Sequence, residues 1–164
     1  MSPIVALLSV QKPAILEVIN DAARAYKGVI PQDRWKEPYM SAEELVNEIE
    51  TGVLFYGWIQ EGVLLGIAGI QHFSDVDLVR HCYVLTDFQR QGLGSALLCN
   101  LLGHARAREV LVGTWEDATW AIRFYERHGF ELVSRKEKDR LLQTYWTIPE
   151  RQIETSVVLR RKES

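Results

Sequence analysis

The feature that most constrains this sequence is a glycine-bearing segment, Gln89-Arg90-Gln91-Gly92-Leu93-Gly94, that joins an apolar strand ending at Val84 to a helix. A helix start presents unpaired backbone N–H groups and the positive end of the helix dipole, both of which suit a phosphate. Gly92 and Gly94 let the backbone approach a ligand without a Cβ atom in the way, and Arg90 adds a cation. The segment therefore predicts a phosphate-binding turn.

Two well-known phosphate loops are excluded by the spacing of this segment. A dinucleotide fingerprint needs Gly or Ala three residues after its second glycine, and this chain has Leu97 there. A P-loop needs Gly-Lys-Ser or Gly-Lys-Thr, which the sequence lacks. Taken alone, the glycine pair is also compatible with a tight strand-to-helix turn that binds nothing.

A second segment narrows the interpretation of the glycine-bearing segment. It runs Ala121-Ile122-Arg123-Phe124-Tyr125-Glu126-Arg127-His128-Gly129-Phe130 and ends a helix at a glycine. Together with Gln89, Gly92 and Gly94, it resembles the two signatures of the GNAT superfamily of N-acetyltransferases, in the same order and at a similar separation. The predicted element order resembles the fold of that family from about Ile4 to Arg160.

Hydrophobic periodicity and turn signals predict the elements of the chain. Strands are predicted at Ile4–Val10, Val53–Gln60, Val63–Phe73, Asp77–Val84, Val110–Thr114, Phe130–Ser134 and Thr155–Arg160. Helices are predicted from Pro13, from the Ser41 and Glu44 capping box to Thr51, after Gly94, and over Ala118–His128. Glu61-Gly62 predicts a hairpin, and the charged run Arg135–Arg140 predicts a solvated turn or the end of a helix.

This order of elements predicts an α/β (α+β) fold with a mixed, mainly antiparallel central sheet flanked by helices on both faces, as in the GNAT fold. No repeat, low-complexity tract or linker divides the sequence. We therefore expect residues 1–164 to form a single acetyltransferase domain.

The resemblance implies a reaction and a co-substrate. GNAT enzymes move an acyl group, usually acetyl from acetyl-CoA, to a primary amine by direct transfer in a ternary complex. By the same resemblance, the backbone of Cys82, Tyr83 and Val84 is expected to pair with the pantetheine arm. The residues expected to hold the pyrophosphate are Gln89, Arg90, Gln91, Gly92, Leu93, Gly94 and Ser95.

Tyr125 matches the tyrosine that lies near the sulfur of coenzyme A in this family, where it is the usual candidate general acid. The chemistry agrees, because a thiolate leaving group with a pKa near ~8.5 can accept a proton from a positioned phenol. The alternative is a tyrosine that only packs beneath the helix.

The general base is less clearly indicated, and His81 and Glu116 are both candidates. Strand alternation predicts that His81 shares a face with Val79 and Tyr83, and a purely structural role for it stays open. Some family members use a Glu where this chain has Gly113 or Leu78, and many carry an Asn where it has Ala118.

The resemblance also implies that the first two helices and the loop between them form part of the amine-binding side. The aromatic residues that could line it are Tyr26, Trp35, Tyr39, Trp115 and Trp120. Glu43, Glu44 and Glu48 could attract a cation, although core packing and an exposed helix face explain all these residues as well. Tyr145-Trp146 is expected to be part of a wall or a homodimer contact.

Composition limits the partners. The net charge of −3 predicts no general attraction to nucleic acid or to anionic membranes. The longest apolar stretch, Val63–Ile70, is far shorter than the ~20 residues that cross a bilayer. The two cysteines, Cys82 and Cys99, have no histidine at metal-ligand spacing. These features predict a reduced, cytoplasmic protein without a metal site. The acceptor, a small-molecule or peptide amine, is what the resemblance to the GNAT superfamily implies.

One alternative of a different class stays open at this point. Because no residue stands out as the base and Ala118 departs from the family pattern, the chain could also be a non-catalytic acyl-CoA-binding or regulatory module on the same fold.

Overall fold

The computed structural model of the chain describes residues 2–162, so residues 1, 163 and 164 of the expected domain lie outside the described residues. The strands are β1 (Ile4–Ala6), β2 (Leu54–Gln60), β3 (Val63–His72), β4 (Val76–Val84), β5 (Glu109–Trp115), β6 (Glu131–Leu132) and β7 (Ser156–Lys162). The helices are α1 (Lys12–Ala22), α2 (Ala42–Glu50), α3 (Leu93–Gly103), α4 (Thr119–Arg127), α5 (Arg135–Tyr145) and α6 (Glu150–Glu154).

The strands form one sheet in the order β1-β2-β3-β4-β5-β7-β6. Only the pair β4 and β5 is parallel among the strand pairs of residues 2–162, and the other pairs are antiparallel. Neighbouring residues of β3 separate the two faces, since Ile67 packs in the core beneath α1 and α2 whereas Ala68 packs in the core beneath α3. The predicted mixed sheet with helices on both faces is confirmed.

Two local signals in the sequence form as predicted. The backbone N–H of Glu44 donates to Ser41 Oγ at 3.1 Å, and the Ser41 N–H donates back to Glu44 Oε1 at 3.4 Å, which starts α2. Glu61 and Gly62 have φ angles of 52° and 77°, the left-handed pair that a tight hairpin between β2 and β3 requires.

The segment after β6 differs from the prediction. Arg135–Arg140, predicted as a solvated turn or the end of a helix, is the first half of α5, and α6 follows it. Ser134 Oγ accepts the Glu137 N–H at 3.2 Å and caps the helix. Leu141 and Leu142 then pack against the sheet. The sequence pattern did not predict this helix, because charged residues occupy its first two turns, before its apolar face begins.

The feature of the fold that creates a site is the separation of β4 from β5. The two strands pair from Val76 with Glu109 to Val79 with Val112 and no further. Beyond that point β4 continues to Val84 and β5 continues to Trp115, but the two strands no longer pair with each other. The backbone N–H and C=O groups of β4 that face β5 therefore lose their sheet partner, and a wedge opens between the strands.

Candidate active site

A cleft of about 650 Å³ lies in the wedge between β4 and β5. Its walls come from the turn after α1, the start of α3, α4, and the connection from α5 to α6. Nine of the ten residues predicted to bind the co-substrate line it: Cys82, Tyr83, Val84, Gln89, Arg90, Gly92, Leu93, Gly94 and Ser95. Gln91 lies in the same turn but is not part of the lining, and its side chain is exposed.

The glycine-bearing turn is held in shape by its own residues. Gln89 Nε2 donates to the carbonyl oxygen of Val84 at 2.9 Å, which closes the turn onto the end of β4. Arg90 and Gly92 both have left-handed backbones, with φ angles of 64° and 86°. Gly92 is the N-cap of α3, so the turn directs the first N–H groups of that helix at the cleft.

Gly94 and the end of α4 complete this end of the cleft. A Cβ atom on Gly94 would stand 3.6 Å from the Phe124 ring, so the two helices approach closely here. Arg127, one helical turn beyond Phe124, lines the same cleft as Arg90. Free N–H groups and two guanidinium groups make this end suited to a pyrophosphate.

The base candidate His81 lies at a β-bulge, which corrects the predicted strand alternation. Ile67 pairs with Tyr83 and Gly69 with Arg80, so Ala68 alone faces both His81 and Cys82. His81 takes a left-handed backbone with φ of 55°. The expectation that His81 shares a face with Val79 is wrong, because the extra residue in β4 shifts the alternation.

His81 instead points toward α2 together with Arg80. His81 Nε2 lies 2.6 Å from Glu48 Oε2, and Arg80 forms an ion pair with the other oxygen of the same carboxylate. Arg80 also donates to Gln71 Oε1 at 2.9 Å. Burial alone raises the pKa of Glu48, but His81 and Arg80 outweigh burial and hold the pKa of this carboxyl below its usual range.

The other base candidate, Glu116, lies elsewhere. It follows β5, its backbone N–H donates to the Thr155 carbonyl at 2.9 Å, and it lines a separate pocket of about 160 Å³ with Lys138 and Ser156. His81 lines the main cleft and Glu116 does not.

Tyr125 lies on α4, is 7% exposed and lines the cleft. Its ring packs edge-on against Phe130 at a centroid distance of 5.6 Å. Burial raises the pKa of the Tyr125 phenol well above its ordinary value. At neutral pH Tyr125 is therefore a protonated phenol, able to donate a proton or a hydrogen bond into the cleft.

The Cys82 thiol is also protonated at neutral pH. Burial raises its pKa to about 12. A thiol in that state is a poor nucleophile, because the thiolate is the reactive form.

The aromatic residues singled out in the sequence meet around Tyr26 and Tyr39. The Tyr26 and Tyr83 hydroxyl oxygens are 3.3 Å apart, and Trp120 stacks on Tyr26 at a centroid distance of 6.0 Å. Trp115 Nε1 donates to the Tyr39 hydroxyl at 2.8 Å. Trp35 stacks on Tyr39 at 5.9 Å from outside the cleft.

Trp146 forms one wall of the cleft, whereas the sequence left open whether it belongs to a wall or to a homodimer contact. Its indole lies 3.3 Å from the position that a Cβ on Gly113 would take, so the missing side chain of Gly113 is what admits the ring. Trp146 lines the cleft with Ile148 and Gln152. Tyr145 points away and donates to Asp75.

The contacts above describe one cleft that contains a phosphate-binding turn, a buried phenol and an imidazole. Comparison of the sequence with known families shows which family the chain belongs to. Residues 15–130 match the model of the acetyltransferase (GNAT) family. The chain belongs to the GNAT family. The predicted family and its acyltransferase class are thereby confirmed, and the reaction class of this GNAT protein is acetyl transfer. No curated protein sequence matches it.

Solved structures share the GNAT fold of this chain. PaiA N-acetyltransferase of Thermoplasma acidophilum, in complex with coenzyme A, has a TM-score of 0.74 at 18% identity, with 98% of each chain covered. The ribosomal-protein-S18-alanine N-acetyltransferase of Escherichia coli has a TM-score of 0.69 at 20% identity, covering 98% of this chain and 93% of that one. N-acetylglutamate synthase of Neisseria gonorrhoeae, complexed with coenzyme A and N-acetyl-glutamate, has a TM-score of 0.66 at 23% identity. The match covers 97% of this chain and 34% of that one.

Two residues that line this GNAT site, Arg127 and Gln152, were missed in the sequence. Glu48 was considered there only as a residue that could attract a cation, and it contacts His81 and Arg80 instead. Glu48 acts through a contact between α2 and β4, and no spacing along the chain indicates such a pair. Arg127 could have been found, because it follows Phe124 by one turn in the second signature. Gln152 lies on α6, which the sequence did not predict.

Residues 2–162 contain neither a metal-binding cluster nor a membrane-spanning helix. Within them no group of three or more His, Cys, Asp and Glu side chains is arranged to hold a metal ion. None of the helices in that range is long and apolar enough to span a bilayer.

Proposed function

We propose that this GNAT protein is an N-acetyltransferase that moves the acetyl group of acetyl-CoA to a primary amine by direct transfer in a ternary complex. The observation that carries the proposal is the separation of β4 from β5 directly beside the start of α3. One cleft thereby joins a phosphate-binding turn, an unpaired strand edge, a protonated phenol and an imidazole.

Acetyl-CoA is the co-substrate that this cleft fits. The N–H groups at the start of α3, with Arg90 and Arg127, would hold the pyrophosphate. The unpaired edge of β4 around Cys82, Tyr83 and Val84 would pair with the amides of the pantetheine arm, as an added strand does. The coenzyme A bound in the T. acidophilum and N. gonorrhoeae structures supports this choice.

The proposed chemistry needs one proton acceptor and one proton donor. In its neutral form His81, whose Nε2 faces Glu48, takes a proton from the amine on Nδ1, and the amine nitrogen attacks the thioester carbonyl carbon. The C–S bond then breaks, and the departing thiolate takes the proton of the Tyr125 phenol. His81 returns its proton to solvent and Tyr125 regains one, so the products are the acetylated amine and free coenzyme A.

The protonated state of Cys82 supports direct transfer over an acetylated enzyme. A covalent route through this residue needs a thiolate, and a pKa of about 12 leaves very little of it at neutral pH.

Several finer properties belong to the same proposal. We infer that residues 1–164 act as a single acetyltransferase domain, because one sheet includes strands from both ends of the described chain. The unpaired cysteines Cys82 and Cys99 support a cytoplasmic location. The acceptor is a small-molecule or peptide amine, and a homodimer stays a prediction.

The test is release of free coenzyme A from acetyl-CoA in the presence of a panel of amines: small amines, amino acids, amine antibiotics and peptides. We expect release that depends on the amine and matches the N-acetylated product mole for mole. Tight binding of coenzyme A by calorimetry with no turnover on any amine would contradict the proposal and favour the non-catalytic module.

A further inference from the structure

The apex of the wedge, where the paired part of β4 and β5 ends, is lined by apolar side chains. Val79 and Val112 form the last pair of the two strands, and both line the cleft. Gly113, Leu142 and Trp146 line the cleft beside them. Because these side chains are almost entirely hydrocarbon, the apex suits an acyl chain.

Trp146 is held at this apex by contacts with β5 and α5. Its ring atom Cζ2 lies 3.3 Å from the position that a Cβ on Gly113 would take, and Leu142 Cδ2 lies 3.6 Å from the same position. The backbone N–H of Trp146 donates to the Leu142 carbonyl at 3.0 Å. The side chain is half-buried, so the indole rests on β5 and still presents surface to the cleft that it lines.

The proposed binding mode directs the acyl group of acetyl-CoA toward this apex. With the pyrophosphate at the start of α3, the pantetheine arm follows the edge of β4 from Val84 through Tyr83 to Cys82. Val79, three positions before Cys82, is the last residue of β4 that pairs with β5. In this binding mode the thioester at the end of the arm lies between Cys82 and the apex.

The space between the thioester and the apex is short. Ala68 of β3 faces Cys82 and Ile70 faces Val79, so two residue steps, or about 7 Å, separate the level of Cys82 from the last pair. Trp146 covers the first residue of β5 beyond that pair and takes part of this length. Each methylene added to an acetyl group lengthens it by about 1.3 Å, so a butyryl chain needs the space that the indole occupies.

Given the proposed acetyl transfer, on which the inference rests, we infer that Trp146 restricts the acyl donor to acetyl-CoA and excludes longer acyl-CoA esters. A close-packed apolar site rejects a longer chain through overlap with a wall that cannot move away. One extra methylene in such a site is worth about tenfold or more in discrimination. The missing side chain of Gly113 sets where that wall stands, because it lets the indole lie against β5.

The first test measures binding of acyl-CoA esters without any amine. Calorimetric titration of the purified chain is expected to give a dissociation constant about tenfold higher for butyryl-CoA than for acetyl-CoA. In Trp146→Ala the two dissociation constants are expected to agree within about twofold, because the wall is gone.

The second test measures turnover with the best acceptor of the amine panel at saturation. For the unmodified chain, kcat/KM is expected to be about 100-fold lower for butyryl-CoA than for acetyl-CoA. Trp146→Ala is expected to raise the ratio of butyryl-CoA to acetyl-CoA turnover at least about 30-fold, and Trp146→Phe to raise it less, since a phenyl ring keeps most of the wall. Trp146→Leu replaces the alanine variant in both tests if urea unfolding shows that the alanine variant does not fold.

Trp120→Ala is the matched control. It also removes an indole from the cleft lining, but this indole stacks on Tyr26. We expect the preference for acetyl-CoA over butyryl-CoA to stay within about twofold of that of the unmodified chain.

The outcomes separate this inference from the function on which it rests. Equal affinity of the unmodified chain for acetyl-CoA and butyryl-CoA would overturn the inference, and so would a preference that Trp146→Ala leaves unchanged. Equal gains for butyryl-CoA in Trp146→Ala and Trp120→Ala would also overturn it, because loss of either indole would then suffice. Absence of turnover on every amine, with the binding preference intact, would instead overturn the proposed transfer and leave the selectivity of Trp146 standing.

Discussion

At the scale of single residues, the proposed chemistry depends on two side chains that reach the cleft from different elements. Tyr125 comes from α4, and burial raises the pKa of its phenol. His81 comes from the bulge in β4 and rests against Glu48 of α2. One substitution tests the role of Tyr125, and another tests the contact of Glu48 with His81.

Tyr125→Phe removes the proton donor and keeps the ring that packs on Phe130. We expect kcat to fall by about 100-fold, which is the lower end of the range for general acid catalysis. The dissociation constant of acetyl-CoA should stay within a few fold. Single-turnover kinetics and calorimetry measure the two quantities, and an unchanged chemical step contradicts the acid assignment.

Glu48→Gln tests the contact that holds His81 and Arg80. The pKa of Glu48 is lower in the folded chain than its ordinary value, so ionised Glu48 stabilises the fold above the unfolded pKa of ~4.3. That stability is lost as the pH falls through the folded pKa. We expect the free energy of unfolding at pH 7 to be about 1–3 kcal/mol lower for the variant than for the unmodified chain. This difference is expected to shrink in acid.

Urea unfolding at several pH values measures this difference. Glu43→Gln is the matched control, because Glu43 lies on the same helix with an exposed side chain, and its effect should be within about 0.5 kcal/mol. A Glu48→Gln deficit that is constant from neutral to acid pH speaks against the ion-pair account.

The position of His81 shows where sequence reasoning reaches its limit at this scale. Alternation has a period of two only while each residue of β4 faces one residue of β3. At Ala68 two residues face one, and the side-chain types around Cys82 give no sign of it. By contrast, Tyr125 was predicted because the second signature fixes its place relative to Gly129.

At the scale of elements, the turn before α3 is the part whose shape the sequence specifies best. Gln89 closes it on Val84, and Gly92 supplies the left-handed residue at the start of the helix. A side chain at Gly92 would meet no atom within 4 Å, but its φ of 86° is strained for any other residue.

Gly92→Val is therefore expected to distort the turn, at a backbone cost of about 1–2 kcal/mol for the left-handed conformation. We expect the affinity for coenzyme A to fall at least about tenfold, because N–H groups of the α3 start lose their aim at the pyrophosphate. Calorimetric titration measures this affinity.

Gly62→Val is the matched control for that experiment. Gly62 has a φ of 77° and open space around it, but it lies in the hairpin between β2 and β3. We expect similar destabilisation with unchanged affinity for coenzyme A. Equal loss of affinity in both variants would attribute the effect to global strain and refute the proposed cradle.

Helix α5 shows why other elements were missed. Its first turns are charged, which is typical of a solvated turn, yet Ser134 and Glu137 form the start of a helix. Lys138 is only 4% exposed, and it is accommodated because Nζ donates to the Ile153 carbonyl at 2.7 Å and pairs with Asp139. Those partners belong to α5 and α6, so the charged run alone cannot reveal them.

At the scale of the whole molecule, the sequence predicted the class of sheet but not its wedge. The mixed sheet with helices on both faces follows from the element order. The point where β4 leaves β5 lies between Val79 and Arg80, directly before the bulge at His81 and Cys82. Pairing across the sheet is a non-local property that hydrophobic periodicity does not contain.

A cleft that holds both substrates at once predicts a kinetic pattern. Because direct transfer requires the amine and acetyl-CoA to be bound together, initial-velocity lines at varied concentrations of both should intersect. Parallel lines, or an acetyl group found on the protein by mass spectrometry when acetyl-CoA is added without amine, would indicate a covalent intermediate instead.

The central claim is that the cleft between β4 and β5 transfers acetyl from acetyl-CoA to an amine. The most direct measurement follows acetyl-CoA labelled in its acetyl carbons, mixed with the purified chain and the best acceptor of the amine panel. We predict labelled N-acetyl product equal to the coenzyme A released, formed much more slowly by Tyr125→Phe. Coenzyme A binding with no labelled product from any amine would contradict the account.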